Sequence, residues 1–317
     1  MNWHSKIEAA VTRISPHIRK TPVERARSLG ANVWLKCENL QVTGSFKVRG
    51  GTNALRALSS EQQRQGVVTA SSGNHGLGLA HAANQLGVPA TVFVPNHASE
   101  SKVKSIQQLG VNVERVGDDC VETEAYARVM ATAKSQTYIS PYNDADIIAG
   151  QGTIAHELLG QIESLDAVFV SIGGGGLISG IGAYLKAAKP SVEIVGCSPA
   201  ASPAMHACLE AGRIIDVHCR DTLSDATAGG VEKGAITFDV CKQVVDTSLL
   251  VGEADIAEAV RWAVGSHHML IEGAAGVAIA GFKQVAQDYA DKNVAIILCG
   301  ANIGLDTLRK VLQGGLR

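Results

Sequence analysis

The sequence predicts an α/β protein with a mainly parallel sheet covered by helices. Short apolar runs rich in β-branched residues alternate with longer segments of helical period, as expected where helices connect parallel strands. The 317 residues are 46% hydrophobic and 18% charged, so the chain can bury a large core and lacks the composition of a disordered protein. A chain of this length suits two domains.

Six runs are predicted strands, and three segments between them are predicted helices. The strands, in order, are 67–71, 90–95, 111–116, 166–172, 192–197 and 294–298. The helices are 76–87, 98–110 and 120–134, and the first two close on Gly87 and Gly110, as is favoured after a helix C-terminus. We therefore expect a small α/β domain over 66–143 and a large domain made of 1–65 and 144–317.

Charge and cysteine usage exclude several classes of protein. The formal net charge of −2 gives no basic surface for nucleic acid. No apolar run approaches the roughly 20 residues of a membrane-spanning helix, and MNWHSKIEAAVTRI does not read as a signal peptide. Seven scattered cysteines without a C-x-x-C pair predict reduced thiols rather than disulfides or structural zinc. We expect a cytoplasmic protein that binds neither nucleic acid nor membrane.

Lys47, in TGSFKVRG, lies between Phe46 and Val48 where an apolar helix begins. Apolar surroundings lower the pKa of an amine and prepare it to attack a carbonyl group. An ordinary surface lysine is the alternative interpretation.

The loop SSGNHG follows the strand 67–71 and precedes a helix. Hydroxyl, amide and imidazole groups at a helix N-terminus suit a carboxylate, although ordinary N-cap chemistry would also explain them. The candidate substrate-binding residues are Ser71, Ser72, Asn74 and His75.

Four consecutive glycines lie between the strand 166–172 and the next helix, namely Gly173, Gly174, Gly175 and Gly176. Without Cβ atoms, their backbone N–H groups can turn toward a phosphate at the positive end of that helix. No lysine follows as in a Walker A loop, and the third glycine of a dinucleotide fingerprint falls one place late, at Gly180. Two interpretations remain, namely a loop that binds a monophosphate cofactor and a plain tight turn without a ligand.

A reactive amine, a phosphate loop and a carboxylate-binding turn together suit pyridoxal 5′-phosphate holding an amino acid. At these motifs the chain resembles the fold-type II pyridoxal-phosphate enzymes, and among them the serine/threonine dehydratases and serine racemase. TGSFKVRG, SSGNHG, IAGQGTIAHELL, SIGGGGLISG, EGAAGVAIA and LCGANIG occur in the order of that family. The resemblance implies a tryptophan synthase β-like fold of two three-layer α/β domains, with the cofactor in the cleft between them, and a homodimer.

The resemblance also implies the roles of individual residues. Lys47 would form the Schiff base and remove the α-proton, and Ser72 would be the acid/base on the opposite face. Phe46 would lie against the cofactor ring, Asn74 would bond its 3-hydroxyl, and Cys299 would face its pyridine nitrogen. The four glycines with Leu177 would hold the phosphate.

The implied activity is β-elimination of water from L-threonine or L-serine, giving a 2-oxo acid and ammonia. Because a neutral Cys299 would leave the pyridine nitrogen largely unprotonated, loss of a β-leaving group is favoured. The SDATAGG and CGANIG segments leave open a bulkier β-hydroxy amino acid, such as phenylserine, hydroxyaspartate or a compound of hydroxyectoine breakdown. A serine racemase stays open because Ser72 is present, as does a non-catalytic phosphate-ligand-binding protein.

Two departures from the family pattern carry expectations of their own. The family's divalent-metal ligands are replaced by Cys197 and Pro203, neither of which supplies a hard oxygen ligand, so no metal site is expected. The chain ends at Arg317 with no C-terminal regulatory domain, so feedback regulation through such a domain is not expected.

Overall fold

The computed structural model describes residues 1–314 and contains two sheets. The larger sheet has the order β1-β2-β10-β7-β8-β9, and the smaller sheet has the order β5-β4-β3-β6. The larger sheet consists of β1 (Val23–Arg25), β2 (Val33–Lys36), β7 (Ala167–Ser171), β8 (Glu193–Pro199), β9 (Thr247–Val251) and β10 (Val294–Ile297). The smaller sheet consists of β3 (Val67–Ala70), β4 (Ala90–Val94), β5 (Asn112–Arg115) and β6 (Thr137–Tyr138).

Helices connect the strands and cover both sheets. They are α1 (Trp3–Ile14), α2 (Lys47–Ala57), α3 (Ser60–Gln65), α4 (Asn74–Leu86), α5 (Glu100–Gln107), α6 (Cys120–Ala133), α7 (Ala145–Gln161), α8 (Gly176–Ala188), α9 (Ala204–Ala211), α10 (Ile236–Val244), α11 (Glu253–His267), α12 (Gly273–Val285) and α13 (Leu305–Leu312). The predicted α/β class is confirmed, and each of the six predicted strands is present with its ends within two residues. None of the described helices has the length and apolar content that crossing a membrane would require.

Parallel pairing brings the functional loops to one edge of the larger sheet. Every strand pair in this sheet is parallel except β1 with β2. β7 and β10 are adjacent, and every residue of both strands is buried. Because the carboxyl ends of parallel strands lie at the same edge, the glycine loop after β7 and Cys299 after β10 emerge side by side.

Close helix crossings fix the position of Lys47. A Cβ on Gly78 of α4 would lie 2.8 Å from the backbone nitrogen of Val48 and 2.9 Å from the carbonyl carbon of Lys47. Any residue larger than glycine would therefore push α4 away from the start of α2. α4, which begins within SSGNHG, and α2, which begins at Lys47, are thus in direct backbone contact.

Beneath the first turn of α2 lies a buried network of charges. The Arg49 guanidinium donates to both oxygens of Glu38, with Nε–Oε2 at 2.7 Å, and to Glu157, with Nη1–Oε1 at 2.7 Å. Lys36 donates to the same Glu157 carboxylate at 2.5 Å. Arg49, Glu38 and Lys36 are fully buried, so each charge depends on these partners. The network ties the helix that carries Lys47 to β2 and α7.

Candidate active site

Lys47 places its amine between the two sheets. Its Nζ donates a hydrogen bond of 2.7 Å to the carbonyl of Pro141, just beyond the last strand of the smaller sheet. Burial lowers the pKa of this amine to about 8, although the charge of Glu272 acts in the opposite direction. A far larger fraction of the side chain is therefore neutral near pH 7–8 than in an ordinary lysine with a pKa of about 10.4. A neutral amine is the form that attacks a carbonyl.

Phe46 and Cys299 give Lys47 an apolar, uncharged environment. The Lys47 amine lies 5.3 Å from the centre of the Phe46 ring, and Phe46 is buried. The backbone N–H of Phe46 donates to the carbonyl of Cys299 at 3.0 Å. Burial, assisted by the nearby Glu272 carboxylate, raises the pKa of the Cys299 thiol well above its ordinary value, so this group stays neutral.

The glycine loop lies between β7 and α8, beside the acceptor of the Lys47 amine. Gly175 has a φ of +87°, which L-residues rarely adopt, and it caps α8. A Cβ on Gly174 would lie 2.5 Å from the ring of Tyr142, the residue after Pro141. The loop therefore contacts the residue next to the acceptor of the Lys47 hydrogen bond, and it lies at the N-terminus of α8.

The SSGNHG loop lies between β3 and α4. Ser71 and Ser72 are half-buried, and the Ser71 hydroxyl accepts a hydrogen bond from the N–H of Gly73 at 3.3 Å. Asn74, the first residue of α4, is buried and faces the larger sheet, where its side chain contacts Glu272 and Asn302. Hydroxyl groups and free N–H groups thus meet at the start of a helix, as a carboxylate requires.

The Nε2 atom of the His75 imidazole contacts residues of the smaller sheet region, and the contact of His75 with substrate stays a prediction. Its Nε2 lies 3.0 Å from the hydroxyl of Thr69 and 3.4 Å from the carbonyl of Ile139, both in the smaller sheet region. Burial lowers the pKa of His75 to about 3, so the ring is neutral. The Nδ1 atom of the ring has no hydrogen-bond partner among the described residues, and the backbone N–H of His75 lies in the first turn of α4.

Glu272 and Asn302 are site residues that the sequence analysis did not assign. Glu272 precedes α12 and is buried, and burial raises the pKa of its carboxyl group to about 7. Its Oε2 accepts from the backbone N–H of Asn302 at 3.2 Å, and Asn302 follows Cys299 by three residues. Both lie in motifs that carry the family resemblance, EGAAG and CGANIG. A carboxylate opening an otherwise apolar helix was the signal that could have found Glu272.

The mouth of the cleft carries a mixed cluster of charges. Arg128 of α6 pairs with Glu232 across the cleft, with Nη2 2.8 Å from Oε2, and the N–H of Glu232 donates to the Tyr142 hydroxyl at 3.1 Å. Glu124 lies one turn before Arg128 on α6, and its charge acts on Lys47. Burial raises the pKa of Glu124, with the charge of Glu232 as the next cause. The mouth thus holds two carboxylates and one already paired arginine.

The residues at the family's metal position are packed as apolar groups. Cys197 is fully buried in β8, and burial raises the pKa of its thiol. A Cβ on Gly281 would lie 2.4 Å from the Cys197 sulfur, so the thiol packs directly on α12. Pro203 is the residue before α9.

These residues fit pyridoxal 5′-phosphate. A lysine with a lowered pKa, a neutral thiol after β10 and a loop of four glycines at a helix N-terminus lie within one cleft. A Cβ on Gly173 would lie 2.9 Å from Cα of Thr227, and one on Gly174 would lie 2.5 Å from the Tyr142 ring, so only glycine fits at these two positions. A loop of glycines at a helix N-terminus is also the backbone arrangement that binds a phosphate.

Comparison with known proteins agrees with this fit. The family model described as "Pyridoxal-phosphate dependent enzyme" matches residues 14–300. The L-threonine ammonia-lyase of Thermotoga maritima is 38% identical over 288 residues, which is 90% of this chain and 71% of the relative. The L-threo-3-hydroxyaspartate ammonia-lyase of a Pseudomonas species is 35% identical over 320 residues, which is 99% of each chain.

Solved structures show the same architecture. The structure of maize serine racemase superimposes with a TM-score of 0.92 at 30% identity, covering 98% of this chain and 97% of that one. The predicted fold, cofactor and enzyme class, a pyridoxal-phosphate-dependent ammonia-lyase of the serine/threonine dehydratase type, are therefore confirmed. With a matching fold and a family model spanning 287 of its 317 residues, this chain belongs to the pyridoxal-phosphate dependent enzymes.

Proposed function

We propose that the protein removes water and then ammonia from L-threonine or L-serine. The observation that carries this proposal is the Lys47 amine, which burial holds at a pKa of about 8 inside a cleft whose ring-facing group, Cys299, is neutral. When bound, pyridoxal 5′-phosphate supplies an electron sink that acidifies the α-carbon of an amino acid. Lys47 then acts as the base for the α-proton.

The other predicted site residues receive binding roles in this proposal. The four glycines and Leu177 hold the phosphate at the N-terminus of α8. Ser71, Ser72 and the first backbone N–H groups of α4 bind the substrate carboxylate. Phe46 packs against the ring, and Asn74 donates to its 3-oxygen.

The charges at the mouth of the cleft favour a neutral substrate side chain. Glu124 and Glu232 would repel the second carboxylate of hydroxyaspartate, and Arg128 is already paired with Glu232. A methyl group or a hydrogen at the β-carbon, as in threonine or serine, meets no such repulsion. We therefore place threonine and serine ahead of hydroxyaspartate, phenylserine and compounds of hydroxyectoine breakdown.

A racemase is the second candidate, because Ser72 is half-buried in the SSGNHG loop and would act on the ring face opposite Lys47. A hydroxyl in that position can return a proton to the other face of the α-carbon. The overall similarity to maize serine racemase supports keeping this candidate. Formation of D-serine would identify it.

One set of assays tests the proposal. We expect bound cofactor to absorb in the violet region, and borohydride reduction to trap it on Lys47 as detected by peptide mass. Lys47→Ala should lose both signals. L-threonine and L-serine should give 2-oxo acid faster than threo-3-hydroxyaspartate, and Glu124→Gln should narrow that difference. Absence of the adduct at Lys47, or faster turnover of hydroxyaspartate, would contradict the proposal.

We also propose a division at residues 66–143, a homodimer and a cytoplasmic location. The smaller sheet is built only from strands within 66–143, which supports a separate small domain. All seven cysteines are free, as expected in a reducing compartment. Light scattering coupled to size exclusion would measure the oligomeric state.

A further inference from the structure

The side-chain amide of Asn74 is held from both ends by residues of the larger sheet. Its Nδ2 donates to Oε1 of Glu272 at 2.8 Å and to Oε2 at 3.0 Å. Its Oδ1 accepts from Nδ2 of Asn302 at 2.6 Å. Asn74 begins α4, which covers the smaller sheet, whereas Glu272 and Asn302 flank α12 and β10. The three side chains therefore join the two halves of the cleft.

The chemistry of these partners allows one orientation of the Asn74 amide. The Nδ2 of Asn302 only donates hydrogen bonds, so the Oδ1 of Asn74 faces Asn302 and the nitrogen of Asn74 faces Glu272, whose ionised form only accepts. A flipped amide would set its carbonyl against the carboxylate and its NH2 group against that of Asn302. Both hydrogen bonds would be lost and two repulsive contacts would replace them in a buried site.

The orientation of Asn302 is fixed independently of Asn74. Its Nδ2 also donates to the carbonyl of Thr43 at 3.0 Å, and its backbone N–H donates to Glu272. Its Oδ1 lies against Gly44, where a Cβ would approach it to 2.8 Å. Thr43 and Gly44 belong to the TGSFKVRG segment, so the segment that leads into Lys47 sets the donor that holds Asn74.

One N–H bond of Asn74 is left over. The two oxygens of one carboxylate lie too close together to receive both diverging N–H bonds of one amide, so they share a single hydrogen. Among residues 1–314 the structure gives the Asn74 nitrogen no other acceptor. Asn74 therefore keeps a second N–H donor at the start of α4, the helix whose Gly78 packs against the backbone of Lys47.

We propose that Glu272 and Asn302 are positioning residues that hold the Asn74 amide so that an N–H group, and not its carbonyl, faces the 3-oxygen of the cofactor ring. This inference rests on the proposed function, which supplies the ring. The donor stabilises negative charge on that oxygen, and both residues act only through Asn74. Glu272 also lies near charged Lys47, Asp225 and Lys102, whose side chains are untouched by the substitutions below.

The test measures the cofactor as well as catalysis. In Glu272→Gln, the uncharged amide can donate to Asn74 and permits the flipped state. We expect the dissociation constant of pyridoxal 5′-phosphate to rise roughly 10-fold or more, and the absorbance maximum of bound cofactor to shift. The value of kcat should fall more than KM changes. Asn302→Ala, which leaves Glu272 in place, should show a smaller shift in the same direction.

Glu258→Gln is the matched control, because it removes the same charge from an exposed ion pair with Lys283 on α12. It should leave cofactor affinity and absorbance unchanged. If Glu272→Gln lowers only the melting temperature while affinity and absorbance match those of the wild type, the positioning role is wrong. If the wild-type protein itself shows no bound cofactor absorbance, the proposed function fails instead. If Glu272→Gln does not fold, Asn302→Ala decides between these outcomes by the same measurements.

Discussion

At the scale of single residues, the lowered pKa of Lys47 comes from its surroundings and not from its chemical type. The amine loses water contact between the Pro141 carbonyl, the Phe46 ring and the neutral Cys299 thiol. Desolvation penalises the charged form of a lysine and lowers its pKa. Burial also lowers the pKa of His75, so its imidazole is neutral, and its Nε2 atom is hydrogen-bonded to the hydroxyl of Thr69.

The lowered pKa of Lys47 predicts how apoenzyme captures its cofactor. The rate of covalent capture of pyridoxal 5′-phosphate should rise with pH and level off above a midpoint near 8, because the neutral fraction of the amine rises through its pKa of about 8. Stopped-flow absorbance between pH 6.5 and 9.5 measures this rate. Binding of pyridoxine 5′-phosphate, which has no aldehyde, is the control and should not follow that midpoint. A midpoint near the ordinary value of about 10.4 would contradict the burial argument.

At the scale of elements, the helices approach one another through glycines. A Cβ on Gly180 of α8 would lie 2.3 Å from the carbonyl oxygen of Ile148 and 2.6 Å from the nitrogen of Gly152, both on α7. A Cβ on Gly150 would meet the backbone of Arg49 and Gly50 on α2 at 2.6 Å. α7 therefore touches a different helix at each of these glycines, and α2 with Lys47 depends on that packing.

Gly152→Ala and Gly160→Ala test this packing on a single helix. The new methyl group at 152 would lie 2.6 Å from Ile7 and 2.9 Å from the carbonyl of Gly180, so we expect a loss of about 1–3 kcal/mol in the free energy of unfolding. At exposed 160 nothing lies within 4 Å, and alanine should stabilise α7 by about 0.5–1 kcal/mol. Urea unfolding measures both. Equal effects at the two positions would show that the helix crossing is not tightly packed.

At the scale of the whole molecule, two exposed ion pairs join the elements around the smaller sheet to one loop of the larger one. Lys102 of α5 pairs with Asp225 at 2.9 Å, and Arg128 of α6 pairs with Glu232 at 2.8 Å. Asp225 and Glu232 both belong to the SDATAGGVEKG segment. Exposed pairs of this kind contribute only about 0–1 kcal/mol to stability. Their position across the cleft suggests an effect on substrate binding that exceeds their effect on folding.

Arg128→Gln should therefore change binding more than stability. We expect KM for the amino-acid substrate to rise several-fold and to depend less on salt, while the free energy of unfolding changes by less than about 1 kcal/mol. Arg115→Gln is the matched control, because Arg115 pairs with Glu100 on the same side of the cleft. Steady-state kinetics at low and high ionic strength make the comparison. A similar rise in KM for both variants would rule out a specific role of the pair across the cleft.

Local patterns in the sequence predicted six of the ten described strands and the glycine loop, and they singled out Lys47 as the candidate Schiff-base residue. β-branched runs, glycine after a helix and an amine among apolar neighbours are properties of adjacent residues. The strands β1, β2, β6 and β9 escaped prediction, and β1 and β6, with three and two residues, are too short to show a measurable period. Tertiary structure alone decided that Glu272 and Asn302 meet Asn74, and that the His75 ring turns inward. Such contacts join residues as many as 228 positions apart, and only the packing of the two sheets brings them within hydrogen-bonding distance.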